Sequence, residues 1–169
     1  ARLGVLVCPM LMGFFKVINK GIDMKKVIIA TFVGALALPV LAQMTPVGVW
    51  RTYDDNTKEL SSEVRITENG GVLSGKIEKL LRKDAKQNDV CDKCPDDRKG
   101  KPLIGLEIIR GAKKADGKVV WEDGKIMDPE NGKDYSLNLT PEDGGKSLEV
   151  RGYLGLAVIG RSQTWVRVQ

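Results

Sequence analysis

The chain has 169 residues, 27 Lys+Arg against 22 Asp+Glu, three Cys and no His. Without His the commonest general base is missing, and so are two ligands of the common zinc sets. Lys and Asp alternate along most of the chain instead of clustering into the basic face that nucleic-acid binding needs, so that class is set aside.

The first legible element is an export signal that does not start at residue 1. Met24-Lys25-Lys26 is a positive n-region, and Val27–Leu41 is an apolar h-region. Val40-Leu41-Ala42 supplies the −3 and −1 positions of a cleavage site, so residues 24–42 are read as a signal peptide and the mature chain as 43–169. Residues 1–23 lie upstream of this complete signal and are read as translation ahead of Met24 or as an extended leader. The apolar run contains Pro39 and falls short of the roughly twenty residues a spanning helix requires. Gln43 follows the cleavage site, so no Cys is there for lipidation, and no anchor is expected after cleavage. The expected location is periplasmic or secreted. Residues 1–42 hold five of the Lys+Arg and one of the Asp+Glu, which leaves 22 basic and 21 acidic residues, a net of +1. The mature length suits one domain with one core.

Beyond the signal, alternation and turn chemistry predict strands almost throughout. They are placed at Val47–Tyr53, Ser62–Thr67, Val72–Leu80, Ile104–Arg110, Lys118–Glu122, Gly124–Met127, Asp134–Thr140, Ser147–Tyr153 and Arg161–Val168. Asp54-Asp55-Asn56 ends the first strand. Asn69-Gly70-Gly71 reads as a tight hairpin. Asp123-Gly124 reads as a short turn between two strands, and Pro141 to Gly145 as another turn. Arg82–Pro102, rich in Lys and Asp, is read as a loop with at most a helical turn. About eight strands in hairpin order predict an all-β fold, a single antiparallel up-and-down barrel, with a β-sandwich as the alternative.

Cys91-Asp92-Lys93-Cys94 holds both mature cysteines. In an oxidising compartment such a pair is normally a disulfide, here stiffening one turn and contributing about 2 kcal/mol at best. A zinc site would have to recruit Asp92, Asp96 or Asp97, an unusual set. A thiol–disulfide exchange site normally opens a helix in a βαβ unit, and the neighbouring aspartates disfavour a thiolate. Asp128–Tyr135 gathers oxygen ligands that could suit calcium, but Pro129 and Asn131-Gly132 are already good turn chemistry. No nucleophile elbow, phosphate-cradling loop or dinucleotide fingerprint occurs, and no catalytic residue, metal or cofactor is assigned.

Gly48-Val49-Trp50 in the first strand, with an Arg late in the chain, resembles the lipocalin and fatty-acid-binding superfamily. That resemblance implies that Arg161 or Arg167 stacks over Trp50 and closes one barrel end by cation–π attraction, with Arg167 the choice. A denser resemblance runs through Val64-Arg65-Ile66, Gly75-Lys76-Ile77, Cys91–Cys94, Pro102–Leu106, Gly124–Pro129, Asn131–Tyr135, Val150–Tyr153 and Gly160–Trp165. From about residue 46 to 168 these segments resemble an exported bacterial family, domain of unknown function 2147. It implies an envelope location and a compact β domain, and it carries over no catalytic residues.

Three functions follow as expectations. The first is a barrel that binds a small apolar or amphiphilic ligand. In it, Glu107, Arg110, Arg151, Tyr153, Arg161 and Gln163 would form an anion site for the head group if they converge inside. The second is an envelope interaction or structural module without a cavity. The third is a redox factor using Cys91 and Cys94.

Overall fold

The structure, a computed structural model, describes residues 44–168. The signal peptide expected at 24–42 and the leader at 1–23 lie outside the described residues. Among those described, eight strands run in order: β1 Gly48–Tyr53, β2 Leu60–Asn69, β3 Val72–Leu80, β4 Glu107–Lys114, β5 Trp121–Asp128, β6 Lys133–Glu142, β7 Ser147–Tyr153 and β8 Gly160–Arg167. Each pairs antiparallel with the next and β8 returns to β1, so the sheet closes into a barrel and the sandwich is excluded.

The register follows from alternation. On β2, Val64 and Ile66 face the core while Arg65 faces water, and the two-residue loop Gly70-Gly71 sets the pairing Asn69↔Val72, both glycines at positive φ. Two boundaries differ from expectation. β5 runs unbroken through Asp123-Gly124, because Asp123 adopts φ 64 and the pairing with β6 slips between Trp121 and Gly124. The turn-like dipeptide is thus absorbed as a bulge within one strand. A Cβ at Gly124 would lie 2.7 Å from the Ala112 Cβ, so the two strands meet there only because one residue lacks a side chain. β4 begins at Glu107, since Ile104–Leu106 form a tight connection in which Gly105 N–H donates to the Ile77 carbonyl (2.7 Å) and Ile77 N–H to that of Leu106 (3.0 Å).

One end of the barrel is sealed. Trp50 is fully buried, and its indole N–H donates to the Pro46 carbonyl at 2.7 Å. The Arg167 guanidinium carbon lies 4.1 Å from the Trp50 ring centroid. Arg167 donates to the carbonyls of Val47 and Thr45, both at 2.8 Å, and to that of Gly145. Burial lowers its pKa, yet a guanidinium stays charged in proteins, so a cation is held here by carbonyls and a π face. Gly48 has φ +144, and a Cβ there would collide with the Arg167 Nη1. The glycine of Gly-x-Trp is therefore a vacancy that the arginine fills. Val64, Ile66, Leu73, Leu139 and Leu148 pack the interior of this half at 0–1 % exposure.

Arg167→Ala is expected to cost about 2–4 kcal/mol, since three charge-assisted hydrogen bonds and the stacking are lost together. Arg167→Lys should lose most of the same amount, because one ammonium cannot span three carbonyls. Thermal unfolding checks this, and an unchanged melting temperature in both variants would refute the role given to Arg167.

Candidate functional site

The six polar residues considered for an anion site do not converge. Residues directly opposite on paired strands share a face, so the register sorts them. Gly152↔Arg161, Val150↔Gln163 and Leu148↔Trp165 put Arg161 and Gln163 on the inward face with buried Val150 and Leu148. Arg151 and Tyr153 fall on the alternate, outer face of β7, where Arg151 donates to Ser162 Oγ at 2.9 Å and the Tyr153 hydroxyl lies 3.5 Å from the Asn138 side chain. Glu107 and Arg110 pair opposite Lys76 and Ser74, on the outer face of β3, and bond each other at 2.7 Å. These four are corrections to the convergent set, and the cause is strand parity.

Arg161 and Gln163 sit at the end of the barrel opposite Trp50. Gln163 Oε1 accepts from the buried Trp165 indole at 3.0 Å, while its amide donates to Asp55 of the β1–β2 turn. Asp55 also pairs with Arg161, which is 66 % exposed at the rim. Other inward positions near this end are Ile126 and Tyr135, paired with each other, and Gly152, whose hypothetical Cβ would rest 3.5 Å from Tyr135 and 3.7 Å from Ile126. Ile126, Tyr135 and Gln163 are half-buried, in contrast to the fully buried layer around Trp50. The inward residues at this end, the cup of the barrel, grade from buried to exposed. The cup floor holds Trp165 and Val150, its wall Ile126, Tyr135 and the bare Gly152, and its rim the Asp55–Arg161–Gln163 trio. Such a surface can take an apolar group against the wall and a hydrogen-bonding head at the rim. Sequence reading missed Asp55, because an Asp-Asp-Asn run signals a turn equally well without any tertiary partner.

The loop between β3 and β4 is a clasp on the outer wall. The Cys91–Cys94 disulfide has its Cα atoms 5.4 Å apart, and the two residues are only 1 % and 3 % exposed. Cys94 Sγ lies 3.5 Å from Met127 Sδ, and Lys93 Nζ donates to the Glu130 carbonyl at 2.8 Å. Arg98, with its side chain 4 % exposed, forks between Asp96 and Asp134, both at 2.8 Å. Thiol–disulfide exchange requires a thiolate to reach a sulfur, and burial blocks that approach. Arg98, Arg110 and Lys101 line an open outer groove of about 290 Å³ beside Glu107, but Asp96, Asp97, Glu107 and Asp134 already pair with them. In the β5–β6 turn, Asp128 accepts from Glu130 N–H (2.8 Å) and the Asn131 amide (2.7 Å), so its oxygens serve the turn. Among the described residues no group of three or more His, Cys, Asp or Glu is arranged to hold a metal ion.

Residues 48–167 match the bacterial family described as "Uncharacterized protein conserved in bacteria (DUF2147)". The chain belongs to the DUF2147 family. No curated protein matches it. Among solved structures it is similar to protein HP1028 from Helicobacter pylori, described as belonging to the lipocalin family. The TM-score is 0.62 at 18 % identity, over 73 % of this chain and 82 % of that one. At such identity the likeness concerns the fold: this DUF2147 barrel is lipocalin-like.

The clasp carries an acid dependence. Hydrogen bonding from Arg98 lowers the pKa of Asp96 below 3.8, and that from Arg110 holds Asp97 well below the same value. On the outer wall of β2 and β3, Lys79 chiefly lowers Glu63 from 4.5. In the unfolded chain these carboxyls bind protons at a higher pH than in the fold. Their stabilisation is therefore present above about pH 4–5 and lost as pH falls through the lowered folded values. Melting temperature followed from pH 6 to 2 should drop steeply below about 4. Asp97→Asn should melt lower at neutral pH and show a shallower acid limb. Parallel limbs for the two proteins would contradict this.

Proposed function

We propose that this DUF2147 protein is an exported binding protein for a small amphiphile. The ligand's apolar part lies in the cup against Ile126, Tyr135 and Gly152, and its head meets Arg161, Gln163 and Asp55. The observation that supports this most directly is the asymmetry of the barrel. Interior positions are fully buried and apolar around Trp50, whereas at the opposite end they turn polar at Thr52, Ser62 and Gln163, and Ile126, Tyr135 and Gln163 are only half-buried. Small closed barrels either fill their interior or hold one small ligand at an accessible end. Arg161 and Asp55 offer donor and acceptor side by side, so the head group should carry both kinds of partner or compete with Asp55 as a carboxylate. Export is supported by the n-region, apolar run and cleavage site ending at Ala42, and by a disulfide, which persists in oxidising compartments.

Intrinsic fluorescence tests the ligand reading, because Trp165 forms the cup floor. Titration with medium-chain fatty acids should give saturable quenching or a spectral shift. Gly152→Leu, which fills the wall opposite Arg161, should weaken binding by about tenfold or more. Arg161→Gln should weaken carboxylates more than the matching alcohols, whereas Arg151→Gln on the outer wall should leave both unchanged. Equal binding by wild type and Gly152→Leu, or no saturable response to any amphiphile, would overturn the proposal.

A further inference from the structure

The connector between β7 and β8, Leu154-Gly155-Leu156-Ala157-Val158-Ile159, is unlike any other at this end of the barrel. The β1–β2 turn carries Asp54, Asp55, Lys58 and Glu59, and the β5–β6 turn carries Glu130 and Asn131. The β7–β8 connector has no charged or hydrogen-bonding side chain. Leu154, Leu156, Val158 and Ile159 are 60, 69, 80 and 72 % exposed, four of the nine exposed large apolar side chains among the described residues. Single exposed aliphatics are ordinary on a protein surface, but four within six residues at one tip mark a contact surface.

The connector is also held in shape. Arg151, on the outer face of β7, donates to the Ala157 carbonyl at 2.8 Å and the Val158 carbonyl at 3.2 Å, and Ile159 N–H donates to the Leu156 carbonyl at 3.0 Å. The backbone groups are thereby satisfied from below while the side chains point outward. Among the described residues, Arg151 bonds carbonyls and a hydroxyl and meets no carboxylate. It lies just beneath the apolar tip, with no carboxylate of the described residues in salt-bridge reach.

We infer that the β7–β8 tip docks on a lipid surface bearing anionic head groups. The aliphatic side chains enter the interfacial layer, and Arg151 lies at head-group depth. Protein partners favour aromatic and arginine anchors seated in concave pockets. This tip is strongly exposed and purely aliphatic, which suits a fluid layer that imposes no shape. The order of apolar tip above a cation matches the profile of a bilayer surface. The strands the tip joins also carry Gly152 and Arg161, so docking would bring the cup to the membrane, although the inference stands on the tip alone.

Vesicles of phosphatidylcholine, with and without phosphatidylglycerol, test this using the full chain. The three native indoles are 0–4 % exposed, so Val158→Trp introduces one exposed reporter. On vesicles containing phosphatidylglycerol its emission should shift to the blue, and brominated lipid should quench it. In flotation, Leu156→Asp combined with Val158→Asp should reduce vesicle binding on the order of tenfold, and Arg151→Gln should remove most of the preference for phosphatidylglycerol. Any contribution of residues 27–41 is common to all these proteins and does not move the reporter at 158. The inference is overturned if the introduced indole stays fully open to acrylamide and insensitive to brominated lipid, or if adding Leu156→Asp leaves the blue shift of the indole at 158 unchanged. It is equally overturned if the tip variants abolish self-association in solution while vesicle binding is absent throughout, which would make the tip a protein contact.

Discussion

A single guanidinium ties the two ends of this barrel's sequence together. Arg167 closes on the backbone of Thr45 and Val47 and on the ring of Trp50, more than 110 residues away. The ladder alone does little of this work: β8 meets β1 only at Trp50↔Arg167 and Arg51↔Val166, with one further bond from Val168 N–H to the Val49 carbonyl. Every other neighbouring pair of strands is joined by a connector along the chain, whereas this seam has none. Closing it has to offset loop entropy over the whole domain, and the arginine concentrates that closure at one buried point. Gly48 is bare because Arg167 occupies the space beside it.

Sealing one end fixes what the other can be. The packed layer around Trp50 uses large apolar side chains at nearly every inward position. Towards the far end Thr52, Ser62, Tyr135, Gln163 and Arg161 join Leu80, Ile126 and Gly152 at the inward positions. The Thr52 and Ser62 hydroxyls satisfy each other at 2.8 Å. The same end gathers the long clasp and the apolar β7–β8 tip. The clasp stiffens the wall from outside, through a buried disulfide and the Arg98 fork. Chemistry and stability are thereby separated: the ion pairs that hold the clasp lie on the outer surface, and the groups suited to a ligand lie inside.

Much of the fold was legible in the sequence, and the reasons are local. Period-two alternation identified most of the strands, Asn69-Gly70-Gly71 set a register, and Gly-x-Trp with a late arginine pointed to the closure geometry and the lipocalin-like barrel. Local signals misled where two structures share one chemistry. Asp123-Gly124 is good turn material and equally good bulge material, and only the opposing strand decides between them. Ile104–Leu106 pair with Ile77 outside any regular ladder, which alternation cannot distinguish from a strand. The site was less legible because strand parity is decided by register. Of six polar residues on β4, β7 and β8, two face inward, and a one-residue slip would have exchanged them for their neighbours. Asp55 reaches Gln163 across 108 positions of sequence, and no pattern near Asp55 reports that contact. The apolar connector 154–159 was visible as a charge-free run between two strands, but its exposure is a property of the folded tip.

The central claim is that the barrel has one sealed end and one working end. The side-chain N–H resonances of Trp50 and Trp165 report on these ends separately, since one donates to Pro46 and the other to Gln163. Heteronuclear correlation spectra recorded while a fatty acid is titrated test the claim most directly. The Trp165 resonance should move to saturation while the Trp50 resonance stays fixed. Movement of the Trp50 resonance with Trp165 unperturbed would contradict the claim.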